Sequence, residues 1–273
     1  MALFTTSLNS GSNGNCYYIG NETEAVLIDA GLSCRETEKR MKLLGLSMTK
    51  VRAIFISHEH TDHIKGVPSI YQKFGIPLYI TDSTLRGCYG FGSYSTSRLI
   101  SNEPVSIGSL TITPFPKMHD AEDPHSFLVS GNGVTIGVFT DIGKPCAQVH
   151  KHFKLCHAAY LEANYDEALL ESGSYPYFLK KRIMGDRGHL SNNQALEIFM
   201  NYRSPFISHL FLSHLSKDNN CAIKAKELFE SKAGNATIVV ASRYVQSDVY
   251  TIYNNKPLTT LTHRLATQMS LFN

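Results

Sequence analysis

Ser57-His58-Glu59-His60-Thr61-Asp62-His63, directly after the apolar run Ala53 to Ile56, is the stretch from which the rest of the chain can be read. A β-branched run that breaks into imidazole and carboxylate donors reads as a strand delivering metal ligands to its end. Side chains two apart on an extended segment point to the same side, so His58 and His60 can share one cation. Asp62 and His63, past a turn, can hold a second. Histidines also decorate exposed loops and helix ends; the density of donors at ligand spacing is what favours a metal centre here.

Working outward, short apolar runs alternate with turn-rich breaks: Cys16 to Ile19, Ala25 to Asp29, Ala53 to Ser57 and Pro77 to Ile80 read as strands. Between them, Cys34 to Leu44 and Lys65 to Phe74 read as helices closed by Gly45 and Gly75. Strands dominate again from Leu110 to Phe139, then Ala158 to Leu161. A helix is expected from about Tyr165 to Met184, another from Asn192 to Tyr202, and a strand from Ile207 to Ser213. The tail adds a helix from Cys221 to Ser231 and strands near Thr237 to Ala241 and Val249 to Tyr253. Strands in groups, with the first third resembling the last, predict an α/β fold of two face-to-face sheets with helices outside. A single four-layer αββα domain over residues 1–273 is the economical reading.

The chain has 273 residues, 42% hydrophobic and 18% charged, enough to bury a full core. Its 26 Lys and Arg against 23 Asp and Glu leave a formal charge of +3, too small to argue for a nucleic-acid or membrane partner. The six cysteines are scattered without a C-x-x-C pair, which fits a reduced, cytoplasmic compartment. No secretion signal is expected in Met1 to Leu8, and no run approaches the roughly 20 apolar residues a membrane helix needs.

The H-x-H-x-D-H pattern of His58, His60, Asp62 and His63 resembles the signature of the metallo-β-lactamase-fold hydrolases. The resemblance implies the αββα sandwich and assigns further residues one by one. Asp29, ending an early strand, would support the metal loop without binding metal. His119 would be the third ligand of the first metal, with His125 as a rival whose Asp-Pro-His context looks like a loop. Asp141, in Phe139-Thr-Asp-Ile-Gly143, would bridge two metals. His214, in Phe211-Leu-Ser-His-Leu-Ser216, would complete the second site, with His209 as a rival read as structural. The implied set is His58, His60 and His119 on one cation, Asp62, His63 and His214 on the other, and Asp141 between. Carboxylates and imidazoles together suit two divalent ions, zinc or manganese.

Fold alone does not choose a substrate. Three segments do more: Leu8 to Cys16, Leu161 to Asp166, and Gly188 to Asn192 followed by Leu212 to Asn220. Together they resemble the YycJ/WalJ subfamily, over essentially the whole chain. That resemblance implies a two-metal phosphodiesterase, a 5′-to-3′ DNA exonuclease acting through a metal-bridging hydroxide, with DNA as partner. The stretch from Asp141 to His214 leaves no room for the clamp domain of larger RNA-processing relatives. Glu162 and His189 resemble an acid and a histidine that assist proton transfer to the leaving group. Ser10, Ser12, Asn13 and Asn15 can form a turn that offers N–H groups and hydroxyls to a phosphate, or a plain hairpin. Ser191 and Asn192 are further candidate phosphate contacts. Arg182, Arg187 and Lys217 lie near these segments and can meet a phosphate backbone or form a solvated face. The rival readings are a thioester or lactone hydrolase on the same metals, and a metal- or nucleic-acid-binding module without catalysis.

Overall fold

Among residues 2–254, the part of the chain described by the computed structural model, the alternating runs form fourteen strands in two sheets. The first sheet contains β1 (Ala2–Asn9), β2 (Cys16–Gly20), β3 (Ala25–Ile28), β4 (Val51–Phe55), β5 (Leu78–Ile80) and β6 (Thr96–Arg98). The second contains β7 (Val105–Ile107), β8 (Leu110–Pro116), β9 (His125–Gly131), β10 (Val134–Phe139), β11 (Ala158–Glu162), β12 (His209–Ser213) and β13 (Thr237–Val240). β14 (Tyr250–Tyr253) then returns to the first sheet and pairs antiparallel with β1. The sheets are built alike: β1 to β3 and β7 to β10 are antiparallel, whereas β3 to β6 and β10 to β13 are parallel. The expected repetition of the first third in the last is corrected: the shared topology relates β1–β6 to β7–β13, which begins in the middle of the chain at Val105.

The central parallel strands β3 and β11 are buried on both faces, which requires continuous apolar runs such as Ala25 to Ile28 and Ala158 to Leu161. Leu3, Tyr17, Phe55, Phe127, Tyr160 and Phe211 pack between the sheets. The outer face of the first sheet is covered by α1 (Cys34–Leu43) and, beyond α2 (Thr61–Ile64), by α3 (Val67–Phe74) and α4 (Asp82–Gly87). The outer face of the second packs on α5 (Ala147–Phe153) and, past α6 (Glu167–Ser172) and α7 (Tyr177–Met184), on α8 (Asn192–Tyr202) and α9 (Ala222–Glu230). This is the four-layer αββα sandwich, one domain over the described residues; the part of the expected domain at residues 255–273 lies outside them.

Two expectations are corrected. The single helix from Tyr165 to Met184 is two helices, because Gly173 and Pro176 both adopt extended backbone between α6 and α7. Pro176 has no N–H to continue the ladder and disfavours helical backbone at Tyr175. His125 is not in a loop: it opens β9 opposite Pro116, is 1% exposed, and lies 2.6 Å from Ser101 Oγ.

Gly31, between β3 and α1, fixes how closely the metal-ligand loop approaches the first sheet. A Cβ there would stand 1.7 Å from the carbonyl oxygen of Asp62, whose partner is the Asn15 N–H at 2.7 Å. Gly31→Ala is expected to lower stability by about 1–3 kcal/mol through forced backbone displacement, read as a reduced urea midpoint. An unchanged midpoint would show that the loop can move aside.

Candidate metal centre

The site forms where strands of both sheets end. Asp29 follows β3, His58 follows β4, Asp141 follows β10 and His214 follows β12. Asp29, Asp141 and His214 have φ values of 60°, 54° and 55°, the left-handed region that side-chain-bearing residues avoid. Each costs on the order of 1 kcal/mol and persists only when its surroundings hold it. At His214 the hold is visible: its N–H donates to Ser10 Oγ at 2.8 Å, and its carbonyl accepts from Asn164 Nδ2 at 2.7 Å.

Hydrogen bonding fixes the imidazoles. Asp29 accepts from the Ser57 N–H and Ser57 Oγ, both at 2.8 Å, and from His63 Nδ1 at 2.7 Å. Ser57 has spent its only proton on Asp29, so His58 Nδ1, 2.9 Å from Ser57 Oγ, must donate. His119 Nδ1 donates to the Gly188 carbonyl at 3.0 Å. His214 Nδ1 donates to Glu162 Oε1 at 3.0 Å. With each Nδ1 carrying the proton, Nε2 of all four rings is left to bind a cation, the usual division of labour in histidine metal sites.

The atoms left over converge. His58 Nε2, His119 Nε2, His214 Nε2 and Asp141 Oδ2 are buried without a hydrogen-bond partner. Donor atoms of His58, His60 and His119 lie within 4.8 Å of one another, and so do those of Asp62, His63 and His214. Asp141 lies between the sets, with Oδ2 3.2 Å from His63 Nε2 and Oδ1 3.9 Å from His119 Nε2. Buried, unpaired donors of borderline softness facing one another fit divalent cations. The expected seven residues are therefore all brought to one place, while His125 and His209 lie elsewhere in the second sheet.

Glu162 sits under the centre, fully buried at the end of β11. Its Oε2 accepts from the N–H groups of Ile142 and Leu190 at 2.7 and 3.2 Å, and its Oε1 from His189 Nδ1 at 2.8 Å as well as from His214. Burial alone would raise its pKa; the charge and hydrogen bonds of His189 and His214 bring it down to about 2. Burial alone would lower the His214 pKa; Asp141, Asp62 and Glu162 outweigh it and raise it to about 10. For Asp62, burial is likewise outweighed by His63 and His214, which lower its pKa. Burial brings His119 down to about 4 against the opposing charge of Asp141.

The phosphate contacts need correction. Ser10 is buried and holds His214 and Tyr17 Oη. Asn15 Nδ2 lies 3.0 Å from Asp62 Oδ2 and 3.1 Å from His63 Nε2, so this side chain supports the centre. Ser191 is the N-cap of α8 and donates to Glu167 Oε1, and buried Asn192 is paired with Asn220. Ser12 alone of the six lines the cleft beside the centre; Asn13 is exposed and donates to the Arg243 carbonyl. That cleft, of about 220 Å³, is lined by Asp120, Tyr175, Arg182, His189 and His214. Arg182 pairs with Asp120 through two nitrogens, each 2.6 Å from Oδ2, whereas Arg187 is exposed at the end of the loop after α7.

Two residues of the site escaped the sequence reading. Lys117 is 5% exposed and donates to the Thr140 carbonyl at 2.7 Å, bracing the turn that carries Asp141. Asn164 holds the backbone of His214. Both carry a local signal only in hindsight: each stands one or two residues from a strand end that bears a functional group.

Among the described residues no helix is long and apolar enough to cross a membrane. A beta-lactamase superfamily domain model matches residues 24–215. The chain is 32% identical over 232 residues to exodeoxyribonuclease YycJ of Bacillus anthracis, covering 81% of this chain and 85% of the relative. It is 29% identical to exodeoxyribonuclease WalJ of Streptococcus pneumoniae, covering 92% of this chain and 93% of the relative. The crystal structure of the metallo-β-lactamase-fold protein YhfI from Bacillus subtilis superposes with a TM-score of 0.71 at 15% identity, over 92% of this chain and 100% of that one. With strand ends, ligand set and family match in agreement, the chain belongs to the beta-lactamase superfamily as a metallo-β-lactamase-fold, metal-dependent hydrolase.

Proposed function

We propose that this chain is a two-metal phosphodiesterase, a 5′-to-3′ exonuclease on DNA. The observation that carries the reading is the fork of Glu162, whose one oxygen takes Nδ1 of both His189 and His214. The fork orients an imidazole that is 21% exposed on the cleft beside the metal-ligand cluster, a position suited to give a leaving oxygen its proton. The two curated relatives that align over most of the chain are named exodeoxyribonucleases, which supports DNA as substrate.

In this reading His58, His60 and His119 would hold one ion and Asp62, His63 and His214 the other, with Asp141 available to both. Zinc or manganese, when bound, supplies Lewis acidity and hydroxide near neutral pH. The chain's own groups do the rest. Asp29, Ser57 and the Gly188 carbonyl keep the imidazoles aimed, and Arg182 with Asp120 shapes the cleft wall. His189, oriented through Nδ1 by Glu162, delivers a proton from Nε2 to the departing 3′-oxygen.

His189→Ala is expected to keep its metal content while turnover falls by about 10²- to 10⁴-fold, the usual worth of a placed proton donor. Metal analysis alongside kinetics checks this; loss of metal would make His189 a ligand instead. The direct test is linear duplex DNA with a 5′-phosphate, labelled at either end, incubated with manganese or zinc. Progressive loss from the 5′ end supports the reading. Inertness of metal-loaded protein on DNA would turn the search to RNA and to thioester or lactone substrates.

A further inference from the structure

Leu215 and Ser216 line two cavities: the cleft beside His189 and a neighbouring one of about 410 Å³. The second is walled by Lys217, Arg243 and Tyr244 over an apolar floor that includes Val240 and Ala241. Arg243 is half-buried, and among the described residues its guanidinium meets neutral oxygens, Ser12 Oγ at 3.2 Å and the Leu215 carbonyl at 3.5 Å. Its backbone is pinned: the Arg243 carbonyl accepts from Asn13, that of Ser242 from the Ser10 N–H, and that of Tyr244 from Arg40. Lys217 is exposed beside it, and the neighbouring carboxylate, Asp218, accepts from Tyr175 Oη at 2.9 Å. A rigidly mounted cation that is partly stripped of water and has no acidic partner among the described residues is a ready seat for an anion.

We propose that this cavity binds a phosphate of the substrate strand, one nucleotide from the bond being cut, through Arg243 and Lys217. The cavity adjoins the cleft at Leu215 and Ser216, on the path of a strand that leaves the cleft on that side. Tyr244, 65% exposed, offers a ring face on which the adjoining base stacks. The inference rests on the reading of the chain as a nuclease and adds to it the residues that grip the strand beyond the metals.

The test is equilibrium binding of nuclease-resistant phosphorothioate thymidine oligonucleotides to the metal-loaded full chain. Ligands carrying one or two phosphates, with the terminal one at the 5′ or the 3′ end, are compared. The second phosphate is expected to tighten binding about tenfold or more, the worth of one charge-assisted contact. In Arg243→Gln/Lys217→Gln that increment disappears, and the slope of log affinity against log salt falls by about 0.7 per lost contact. Arg243→Lys, which keeps the charge and loses the fork, falls between. Lys151→Gln, on α5, keeps the increment. The proposal is overturned if the double variant retains the increment, or if the wild type shows none while it hydrolyses phosphodiesters. A wild type that cleaves no diester yet loses the increment in the double variant removes the nuclease reading and leaves the phosphate seat standing. Which end carries the productive phosphate separates a terminal from an internal contact.

Discussion

Asp141→Asn is expected to fold normally and to have no measurable turnover on DNA. The fold survives because position 141 is left-handed, with φ of 54°, and Asn is among the few side chains that accept that backbone readily. The amide is also nearly the size of the carboxylate. What changes is charge at the one residue that reaches both ligand sets, 3.2 Å from His63 Nε2 on one side and 3.9 Å from His119 Nε2 on the other. The loss should exceed the 10²- to 10⁴-fold or so set by a proton-transfer group alone, since the substitution removes a buried carboxylate charge that faces both donor sets. Circular dichroism, metal content and kcat measured on one preparation separate the outcomes. Metal retained at wild-type stoichiometry with full turnover would remove Asp141 from the centre.

The second large effect is on stability. Stripping the protein with a chelator should lower Tm by about 10 °C or more. An ion that binds only the folded chain contributes about 4 kcal/mol at a free concentration a thousandfold above its Kd, and a chain of this size shifts about 2–4 °C per kcal/mol. The stripped protein should still fold near neutral pH, because protons stand in for the cations: His214, raised to about 10, shares a proton with Glu162 and the Asp62–Asp141 field. The sign follows from that. A group whose folded pKa is raised stabilises fully below its unfolded value, near 6.5, and the contribution drains away as pH climbs through about 10. Glu162, lowered to about 2, stabilises above its unfolded value near 4.5 and is lost as pH falls through about 2. His119, held down to about 4, adds a further loss as pH falls from about 6.5 to about 4, where burying it neutral becomes costly. The metal-free Tm should therefore be highest near neutrality and drop on both sides, with the alkaline loss reduced in a stripped His214→Gln variant and the remainder carried by His63, whose pKa Asp141 and Asp29 raise against its burial. A flat profile in the stripped wild type would show that no proton replaces the ions.

The sequence made β2 to β5 and the metal loop legible because each is local, whereas β6 went unread. A strand that runs straight into His-x-His-x-Asp-His states its geometry within a dozen residues. Asp141 and His214 were assigned through family resemblance, since nothing in a lone Asp or His at a strand end distinguishes a ligand from a turn residue. The helix break at Ser172 to Pro176 was legible in principle, because Gly173 and Pro176 punctuate it; the apolar spacing on either side outweighed them. Ser10 could not have been read correctly. Its Gly- and Asn-rich neighbours suggest a loop open to phosphate, whereas its true partner is the N–H of His214, two hundred positions along the chain. Arg243 was invisible for the same reason: its setting comes from Ser12, Asn13 and Leu215, which only the closed sandwich brings together.

The three left-handed residues follow β3, β10 and β12, strands of both sheets, and the last donor arrives at position 214. On the ribosome, a chain stopped before that point would already contain His58, His60, His119 and Glu162 but not the imidazole that Glu162 and Ser10 hold in the finished fold. The donor group of Asp62, His63 and His214 can therefore close only after position 214 is synthesised, and a product truncated before it is expected to bind less metal than the full chain.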